Sequence, residues 1–351
     1  MNRRQLLSFA ATGLLAGPGL SGLAGPARAQ GRAMTFCSWG GALSELEKQV
    51  FVDPFGKSKG MEIISASPTN YAKLKAMVEA KAPEWDVVDV GGRFIFEGAE
   101  FLEPLDLALI PNAKALDTGW VTPKGVFTSS GATVLAWSTK AFPADKGPSS
   151  WKDFWDVKAF PGPRGLYKAF YYNYEAALLA AGTKRSEIYP VTDEKAKLAF
   201  DKLNELKPHV KVWWTAGAQP PQLLSTGELA LSSAWSGRMF AIMKEKAPAA
   251  MTYKDGIAWG NAWVIVKGSP YAKVAHELIN FAISQPAQEG LLAVGTYGPV
   301  LSSAAAKGSA EQQSWMVSAP ENIKDMLIIN EEQAGLYSKK YEADWNKFLL
   351  T

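Results

Sequence analysis

The sequence predicts an α/β protein with a parallel sheet and two domains, and three observations lead to this fold class. Strand-like and helix-like segments alternate along the chain after residue 30, which is typical of a parallel sheet flanked by helices. The segment "WDVVDVGG" (85–92) is a continuous apolar run, as found in strands that are buried on both faces. The length of 351 residues exceeds what one hydrophobic core usually covers, so two domains are expected.

The first part of the chain contains the clearest alternation. "RAMTFCSWGG" (32–41) predicts a short strand that ends in a glycine turn, and "ALSELEKQVFVDPFGKSKG" predicts a helix with apolar residues at helical spacing. "MEIISAS", "NYAKLKAMVEA" and "WDVVDVGG" then predict a strand, a helix and a strand. Ligands of such sheets bind beyond the carboxyl ends of the strands, which here are residues 38–41 and 91–93.

The later part continues the pattern with longer connections. "GATVLAWSTKAF" (131–142) predicts a strand, "YEAALLAAG" and "TDEKAKLAFDKLNELKP" predict helices, and "VKVWW" predicts another strand. "PPQLLSTGELALSSAWSGR" predicts a helix, a turn and a strand that ends at Trp235. "GIAWGNAWVIVKGSP" (256–270) predicts a buried strand that opens with two tryptophans, and "NEEQAGLYSKKYEADWNKFLL" predicts a C-terminal helix.

The N-terminal 29 residues predict an export signal. Arg3 and Arg4 precede a modest apolar stretch, which ends in the small-x-small sequence Ala27-Arg28-Ala29. The paired arginines suit twin-arginine export, and glycines and a proline break the apolar stretch too often for a membrane span. We therefore expect cleavage near Ala29 and a periplasmic location.

Composition excludes several function classes. Residues 1–29 hold three arginines and no acid, so without them the number of Lys and Arg falls from 37 to 34, which equals the number of Asp and Glu. The remaining chain has no basic stripe for nucleic acid. The single cysteine, Cys37, excludes an internal disulfide. The two histidines, His209 and His276, lie far apart, so neither a histidine metal site nor a Ser-His-Asp triad is predicted. We expect no cofactor and no catalytic residue.

The order of several short segments resembles a known family. "FCSWGG", "WDVVDVGG", "FLEPLD", "SSWKDFWDVKAFPG", "YEAALLAAG", "LLSTGELALSSAWSGR", "GIAWGNAWVIVKGSP" and "TYGPV" follow one another as in the extracellular solute-binding proteins of ABC importers. The resemblance is to the branch that contains the spermidine/putrescine binders, and it covers the whole chain after the export signal.

This resemblance implies a two-lobed periplasmic binding protein of type II, with mixed sheets flanked by helices and hinge strands between the lobes. Lobe 1 would comprise residues 30–137 plus 260–305, and lobe 2 residues 138–259 plus 306–351. The strand from about residue 259 would carry the chain back to lobe 1 past the ligand cleft. A ligand favours closure of such a hinge only if it contacts both lobes.

The resemblance also places Trp39, Trp235 and Trp259 in the cleft. An indole offers a flat apolar wall with one hydrogen-bond donor at its edge, and it attracts an ammonium group through its face. The alternative for these residues is core packing. Tyr297 in "TYGPV" would cap the cleft, and Tyr172 is a further candidate.

The polar residues at matched positions depart from the polyamine pattern. Where polyamine binders carry an acid two residues after the tryptophan of the return strand, this chain has Asn261. Arg93 follows the third strand and Arg238 follows the turn after Trp235. A guanidinium facing a cleft is well shaped to bind a carboxylate, so these arginines predict an anionic group on the ligand. Either arginine could instead point to solvent.

Two further residues complete the candidate ligand site. Ser38 lies at the end of the first strand and would offer its hydroxyl. Asp89, inside "DVVDVGG", would face the site or satisfy backbone groups at the strand end.

The predicted function is therefore the substrate-binding component of an ABC importer, a monomer that delivers a small solute to a membrane permease and its ATPase. An amino-acid-like zwitterion or organic anion, of the ω-amino acid or opine type, suits both the arginines and the tryptophans. Polyamine binding is the first alternative. Ferric-ion binding through Tyr171 and Tyr172, and a periplasmic hydrolase, are the others; no Gly-x-Ser-x-Gly nucleophile motif is present.

Overall fold

A computed structural model describes residues 33–117, 119–294 and 297–351. The predicted export signal at 1–29 lies outside these residues. Within the described part of the chain, no helix has both the length and the apolar character that crossing a membrane requires.

The strands of the described residues belong to one sheet. In chain order they are β1 (Met34–Cys37), β2 (Ile63–Ala66), β3 (Val87–Gly91), β4 (Val121–Thr122), β5 (Gly125–Ser138), β6 (Arg164–Tyr167), β7 (Val210–Trp214), β8 (Leu231–Trp235), β9 (Ala249–Ile265) and β10 (Leu327–Ile328).

Helices cover the faces and ends of this sheet. In chain order they are α1 (Gly41–Glu47), α2 (Asp53–Lys59), α3 (Tyr71–Glu79), α4 (Phe94–Glu97), α5 (Trp151–Trp155), α6 (Phe170–Ala180), α7 (Asp193–Leu206), α8 (Gln219–Thr226), α9 (Ser236–Lys244), α10 (Ala272–Ala282), α11 (Gln285–Val294), α12 (Ser302–Ala305), α13 (Ala310–Trp315), α14 (Pro320–Ile323), α15 (Glu331–Lys340) and α16 (Glu342–Leu350).

The sheet is mixed and has two parallel ends joined by antiparallel strands. Its order is β2-β1-β3-β9-β5-β8-β6-β7, with β10 beside β9 and β4 beside β5. Neighbours within β2-β1-β3 and within β8-β6-β7 are parallel, whereas β9 and β5 pair antiparallel with each other and with their outer neighbours. The predicted α/β class is confirmed, with two parallel groups of strands as its two halves.

The strands β5 and β9 hold the two halves together. They pair from Val126–Trp263 to Ser138–Ala249, with irregularities between Phe127 and Ser129 and between Thr133 and Leu135. All 14 residues of β5 are buried. Both strands are longer than the other strands described because each pairs with β3 or β8 at one end and crosses the middle of the sheet.

The return strand begins earlier than the sequence indicated. Prediction placed its start near Trp259, but β9 begins at Ala249, so Trp259 lies in its interior. The ten residues before Trp259 include Lys254 and Asp255 and lack a long apolar run, which hid the strand. Pairing of residues 249–252 with β5 keeps this segment extended despite the positive φ of 63° at Asp255.

Two helices also differ from prediction in detail. The predicted C-terminal helix is divided at Tyr341, whose backbone leaves the helical region and whose hydroxyl bonds the Asp193 carboxylate. The helix predicted over 42–60 is present from α1 to α2, but residues 48–52 form a π-helical segment between them.

Candidate functional site

A small cavity with mainly aromatic walls lies between the two halves of the sheet. Its volume is about 30 Å³. Twelve residues line this aromatic cavity: Trp39, Leu43, Tyr71, Gly91, Tyr167, Tyr171, Tyr172, Trp235, Arg238, Trp259, Asn261 and Tyr297. Seven of the ten predicted ligand-site residues are among them, namely Trp39, Tyr172, Trp235, Arg238, Trp259, Asn261 and Tyr297; their role in binding stays a prediction.

The carboxyl ends of the parallel strands supply much of this wall. Trp39 follows β1 by two residues, while Gly91, Tyr167 and Trp235 are the last residues of β3, β6 and β8. β1 and β3 belong to one half of the sheet, and β6 and β8 to the other. The cavity is thus placed where ligands of open α/β sheets bind, and a molecule inside it touches both halves.

The indole of Trp259 is the centre of the aromatic wall. Its ring centroid lies 6.4 Å from that of Tyr172, 6.3 Å from that of Trp235 and 6.5 Å from that of Tyr297. Its Nε1 donates to Thr133 Oγ1 at 3.1 Å, so the indole N–H is already used by the protein. Trp259 therefore offers its ring face to the cavity.

Three other donors of the lining residues have no partner. Trp39 Nε1, Trp235 Nε1 and Arg238 Nε are buried, and none makes a hydrogen bond within the described residues. Arg238 is oriented by its Nη2, which donates to Gly40 O at 2.8 Å. Unpaired buried donors are costly, so three of them around one cavity indicate that it receives an acceptor-rich group.

The charge of the lining residues has one sign. Arg238 is the one charged residue in the described wall, which contains no Asp and no Glu. The buried hydroxyls of Tyr172 and Tyr297 stay neutral, because burial raises their pKa, that of Tyr297 to about 12. The cavity therefore combines one guanidinium with neutral donors and aromatic faces.

An unusual turn brings two adjacent tyrosines into the wall. Tyr171 has an extended backbone, with ψ 149°, and Tyr172 has a positive φ of 67°, so the regular helix of α6 starts after them. The Tyr172 N–H donates to Glu175 Oε2 at 2.8 Å, which holds this turn. A positive φ at tyrosine costs about 1–3 kcal/mol. Such strained backbone occurs preferentially at functional sites.

The structure places Ser38, Asp89 and Arg93 outside the lining set. Ser38 is buried, and its hydroxyl donates to the Glu47 carboxylate instead of facing the cavity. Asp89 is also fully buried. The guanidinium of Arg93 pairs with Glu97 and lies 4.3 Å from the ring centroid of Tyr171. Neither arginine points to solvent, as the alternative from sequence had it. The Arg93 side chain is only 14% exposed, and Arg238 lines the cavity.

Asp89 and Glu47 form a pair of buried carboxyl groups in the half of the sheet that contains β1 and β3. Glu47 accepts from Ser38 and from Trp263 Nε1, the latter at 3.0 Å. Asp89 lies opposite Trp263 in the sheet, two residues before the lining residue Gly91. Burial raises the pKa of both carboxyls, and the mutual repulsion of the two charges raises that of Asp89 further. The pair therefore retains a proton well above the pH at which ordinary carboxyls lose theirs.

Sequence reasoning missed Tyr71, Tyr167 and Tyr171 as wall residues. Tyr71 begins α3, beyond the end of β2; its hydroxyl accepts from the Gly91 N–H at 3.1 Å, and its ring is edge-on to Trp39. Tyr167 ends β6 and lies 5.8 Å from Trp235, centroid to centroid. Tyr167 lies at the carboxyl end of a parallel strand and Tyr71 lies beyond one. Because ligands of such sheets bind beyond these ends, the same rule would have identified both residues.

A second and larger cavity, of about 1010 Å³, lies on the other face of β5 and β9. A Cβ on Gly260 would point at Phe127 and Trp120 in its wall, whereas the neighbouring Asn261 lines the aromatic cavity; Trp259 borders both cavities. Its wall contains Asp117, Glu331 and Glu332 and no Lys or Arg among the described lining residues. The unpaired indole and guanidinium donors belong to the aromatic cavity, which is therefore the better candidate site.

The chain matches the family described as "Bacterial extracellular solute-binding protein" over residues 51–320. It is 36% identical over 315 residues to the "Gamma-aminobutyric acid-binding protein" of Pseudomonas aeruginosa, covering 88% of each chain.

Among solved structures, the chain is similar to an ABC transporter substrate-binding protein from Bradyrhizobium japonicum USDA 110. The TM-score is 0.83 at 35% identity, over 90% of this chain and 98% of that chain. The PBP MotA from A. tumefaciens B6 in complex with glucopine gives a TM-score of 0.85 at 30% identity, over 90% of this chain and 99% of that chain. These likenesses confirm the predicted two-lobed type II architecture.

Replacing Glu47 with Gln should flatten the pH dependence of stability. Because the pKa values of the pair are higher in the folded protein, the folded state holds a proton that the unfolded chain loses from about pH 4 upward. The stability from this pair is full at low pH and is lost as the pH rises through the raised pKa values. Between about pH 5 and pH 8, the free energy of unfolding measured with urea should fall more for the wild type than for Glu47→Gln, by roughly 1 kcal/mol or more.

The control for this measurement is Glu45→Gln, an exposed carboxylate on the same helix. It should keep the wild-type dependence on pH. Equal slopes for wild type and Glu47→Gln would show that the pair does not hold the proton.

Gly217→Ala should disturb the aromatic wall. A Cβ at this position would lie 2.3 Å from Trp235 Cε3, so the indole must move. Overpacking of this kind costs about 1–3 kcal/mol, and near-ultraviolet circular dichroism should report the altered tryptophan environment. Ala216→Ser adds one atom at the exposed neighbouring position and should leave both the spectrum and the urea midpoint unchanged.

Proposed function

Because the chain belongs to the bacterial extracellular solute-binding protein family, it serves as the substrate-binding component of an ABC importer, and we propose that its ligand is a small ω-amino acid held in the aromatic cavity. The three unpaired donors of the wall carry this proposal. They determine the chemistry of one end of the ligand, while the aromatic faces determine that of the other.

The carboxylate of the ligand is assigned to the donors of Trp39, Trp235 and Arg238. Arg238 contributes both a charge and a free Nε–H, and the two indole N–H groups contribute neutral hydrogen bonds. Charge-assisted hydrogen bonds of this kind are roughly twice as strong as neutral ones. A carboxylate, which accepts up to four hydrogen bonds on two oxygens, satisfies all three donors.

The ammonium of the ligand is assigned to the ring faces around Trp259. Since no carboxylate lines the cavity, attraction by indole and phenol faces is the available means of stabilising a cation. Such contacts contribute about 0.5–2 kcal/mol each when partly desolvated. The arrangement suits one terminal ammonium that is joined to the carboxylate by a short run of apolar methylenes.

A polyamine fits these walls poorly. It has no acceptor, so it would leave the three buried donors unpaired and bring several ammonium groups next to Arg238. The branch of the family stays a prediction: the order of the segments resembles the polyamine binders, while the lining residues differ from them.

The size of the cavity favours a short ligand over an opine. A volume of about 30 Å³ has to widen for any ligand, and far more for a sugar-derived molecule such as the glucopine bound by MotA. The relative from Pseudomonas aeruginosa is named for gamma-aminobutyric acid, which has the required carboxylate, ammonium and three methylenes. Gamma-aminobutyrate is therefore the first ligand to test.

Capture follows from the position of the cavity between the halves of the sheet. Trp39 and Tyr71 belong to the β2-β1-β3 half, whereas Trp235 and Tyr167 belong to the β8-β6-β7 half. A ligand that contacts both favours the closed arrangement by its differential affinity, with β5 and β9 as the hinge. The proposed lobes, residues 30–137 plus 260–305 and 138–259 plus 306–351, are supported by the way these two strands cross the middle of the sheet.

Ferric-ion binding has less support. The turn at Tyr171 and Tyr172 does bring adjacent tyrosines into one wall, but the Arg93 guanidinium covers the Tyr171 ring. Burial also raises the pKa of Tyr172 well above its usual value, which opposes the tyrosinate that iron requires. Among the described residues, no group of three His, Cys, Asp or Glu could hold a metal.

The ligand class is tested by calorimetry with the processed protein. Gamma-aminobutyrate and the next longer ω-amino acid should bind with micromolar or tighter Kd, about −8 kcal/mol or better, whereas putrescine, spermidine and butyrate should bind at least tenfold more weakly. Binding of spermidine at micromolar Kd, without binding of any ω-amino acid, would overturn the proposal.

Arg238→Gln tests the assignment of the ligand carboxylate to Arg238. Loss of the guanidinium should weaken gamma-aminobutyrate by about 2–5 kcal/mol, because the ligand carboxylate then lacks its charged partner. Arg238→Lys keeps the charge but lacks the planar guanidinium that can bond a carboxylate through two N–H groups, so it should restore only part of the affinity. Lys244→Gln, an exposed cation on the same helix α9, should bind as the wild type does.

We also propose that residues 1–29 direct twin-arginine export to the periplasm, where the protein works as a monomer with a permease and its ATPase. Expression of the full chain with its natural N-terminus should yield periplasmic protein that begins near Gln30, as read by N-terminal sequencing. Arg3→Lys together with Arg4→Lys should retain the precursor in the cytoplasm, since twin-arginine export depends on the pair. Recovery of Met1 on the periplasmic protein would contradict the cleavage.

A further inference from the structure

We infer that Arg93 is a closure latch: its guanidinium joins the two halves of the sheet and keeps the aromatic cavity closed without contacting the ligand. The inference goes beyond the ligand assignment, although the kinetic part of its test rests on the proposed function. It also replaces the expectation from sequence that Arg93 binds the ligand.

The position of Arg93 makes it a bridge between the halves. It follows the β3 end by two residues, at the start of α4, in the β2-β1-β3 half. Its Cζ lies 5.6 Å from the ring centroid of Tyr71 in the same half and 4.3 Å from that of Tyr171. Tyr171 lies on the segment after β6, in the other half. The guanidinium thus contacts a ring from each half.

The charge of Arg93 is already neutralised by its own helix. Its Nη1 pairs with the Glu97 carboxylate one turn later, and the two side chains are only 14% and 20% exposed. The neighbouring Gly92 packs so closely on Glu331 of α15 that an added Cβ would lie 2.7 Å from Glu331 Cδ. This carboxyl lies near the Arg93 charge as well. Arg93 therefore does not require a ligand carboxylate, in contrast to Arg238, whose Nε has no partner.

The contact with Tyr171 extends into the wall of the cavity. The Tyr171 hydroxyl donates to the Tyr167 hydroxyl at 3.2 Å, and both tyrosines line the cavity. Its ring also lies 4.4 Å from that of Tyr172, centroid to centroid. When the halves separate, the guanidinium leaves the Tyr171 face, so the cation–π energy is present in the closed state alone.

A contact made in one state alone changes the population of that state. Apparent affinity is reduced by the fraction of protein in the binding-competent conformation. Loss of a cation–π contact at a partly desolvated site should shift the closing equilibrium roughly 3- to 30-fold toward the open form. Because ligand enters the open form and leaves by reopening, the shift should be found in the dissociation rate.

The test uses Arg93→Met, which keeps an unbranched apolar side chain but removes the cation, and Lys75→Met as its control. Lys75 also lies over an aromatic ring, with its Nζ 5.7 Å from the Phe101 centroid, but both residues belong to the same half. Stopped-flow binding of gamma-aminobutyrate should give a 3- to 30-fold faster dissociation for Arg93→Met with an association rate within twofold of wild type. Lys75→Met should match the wild type in both rates.

Small-angle X-ray scattering of the ligand-free proteins gives a result that does not depend on the ligand. Arg93→Met should have a larger radius of gyration than the wild type and Lys75→Met, because the latch favours the closed form in the absence of ligand as well. Unchanged scattering together with unchanged dissociation would overturn the latch. Faster dissociation with unchanged scattering of the ligand-free protein and no coupling to Tyr171 would show instead that Arg93 contacts the ligand directly.

A double-mutant cycle with Tyr171→Leu identifies the partner of the latch. If Arg93 acts through the Tyr171 ring, the two substitutions together should accelerate dissociation no more than the larger single effect. Fully multiplicative effects would contradict the pairing. Should gamma-aminobutyrate not bind at all, the scattering comparison still tests the latch, so the failure of the ligand assignment and the failure of the latch are distinguishable.

Discussion

The antiparallel pairing of β5 with β9 is the constraint on which the aromatic cavity depends. Its register sets Gly131 opposite Trp259, and a Cβ on Gly131 would lie 2.4 Å from Trp259 Cη2, so the glycine lets the indole lie across the neighbouring strand. Asn261 and Trp263 point to the same face as Trp259. One strand thus supplies the wall of the cavity and, deeper in the same half, the indole that donates to Glu47. A slip of one residue would turn all three side chains away.

The two arginines near the cavity show how partners decide the role of a side chain. Arg93 has its charge neutralised by Glu97 and its face covered by tyrosines, so its interactions are complete within the protein. Arg238 uses Nη2 on Gly40 O and leaves Nε unpaired beside the aromatic wall. Residue type alone made both candidates for carboxylate binding. The difference lies in their partners. Arg93 pairs with Glu97, four residues later in the chain, whereas Arg238 donates to Gly40, which is 198 residues earlier.

Most of the fold and part of the site follow from local sequence. Apolar runs and helical spacing identified the strands and helices, the strand carboxyl ends indicated Trp39, and the family resemblance indicated Trp235. The start of β9 was missed because its first residues are held by pairing with β5 and not by their own composition. The turn at Tyr172 depends on the Glu175 carboxylate, and the burial of Asp89 and Glu47 depends on tertiary packing; neither leaves a pattern in the sequence.

The bond from Arg238 to Gly40 gives the cavity a means of rejecting the wrong ligand. It joins α9, which follows β8, to the turn after β1, so Arg238 is a bridge between the halves as well as the cation of the wall. Its Nε–H is buried without a partner, as are the indole N–H groups of Trp39 and Trp235. A ligand with a carboxylate satisfies these donors on closure, whereas a ligand without one leaves them unpaired at a cost of about 1–3 kcal/mol each. For the proposed ligand, specificity for an acid would therefore come from the energy of the closed state.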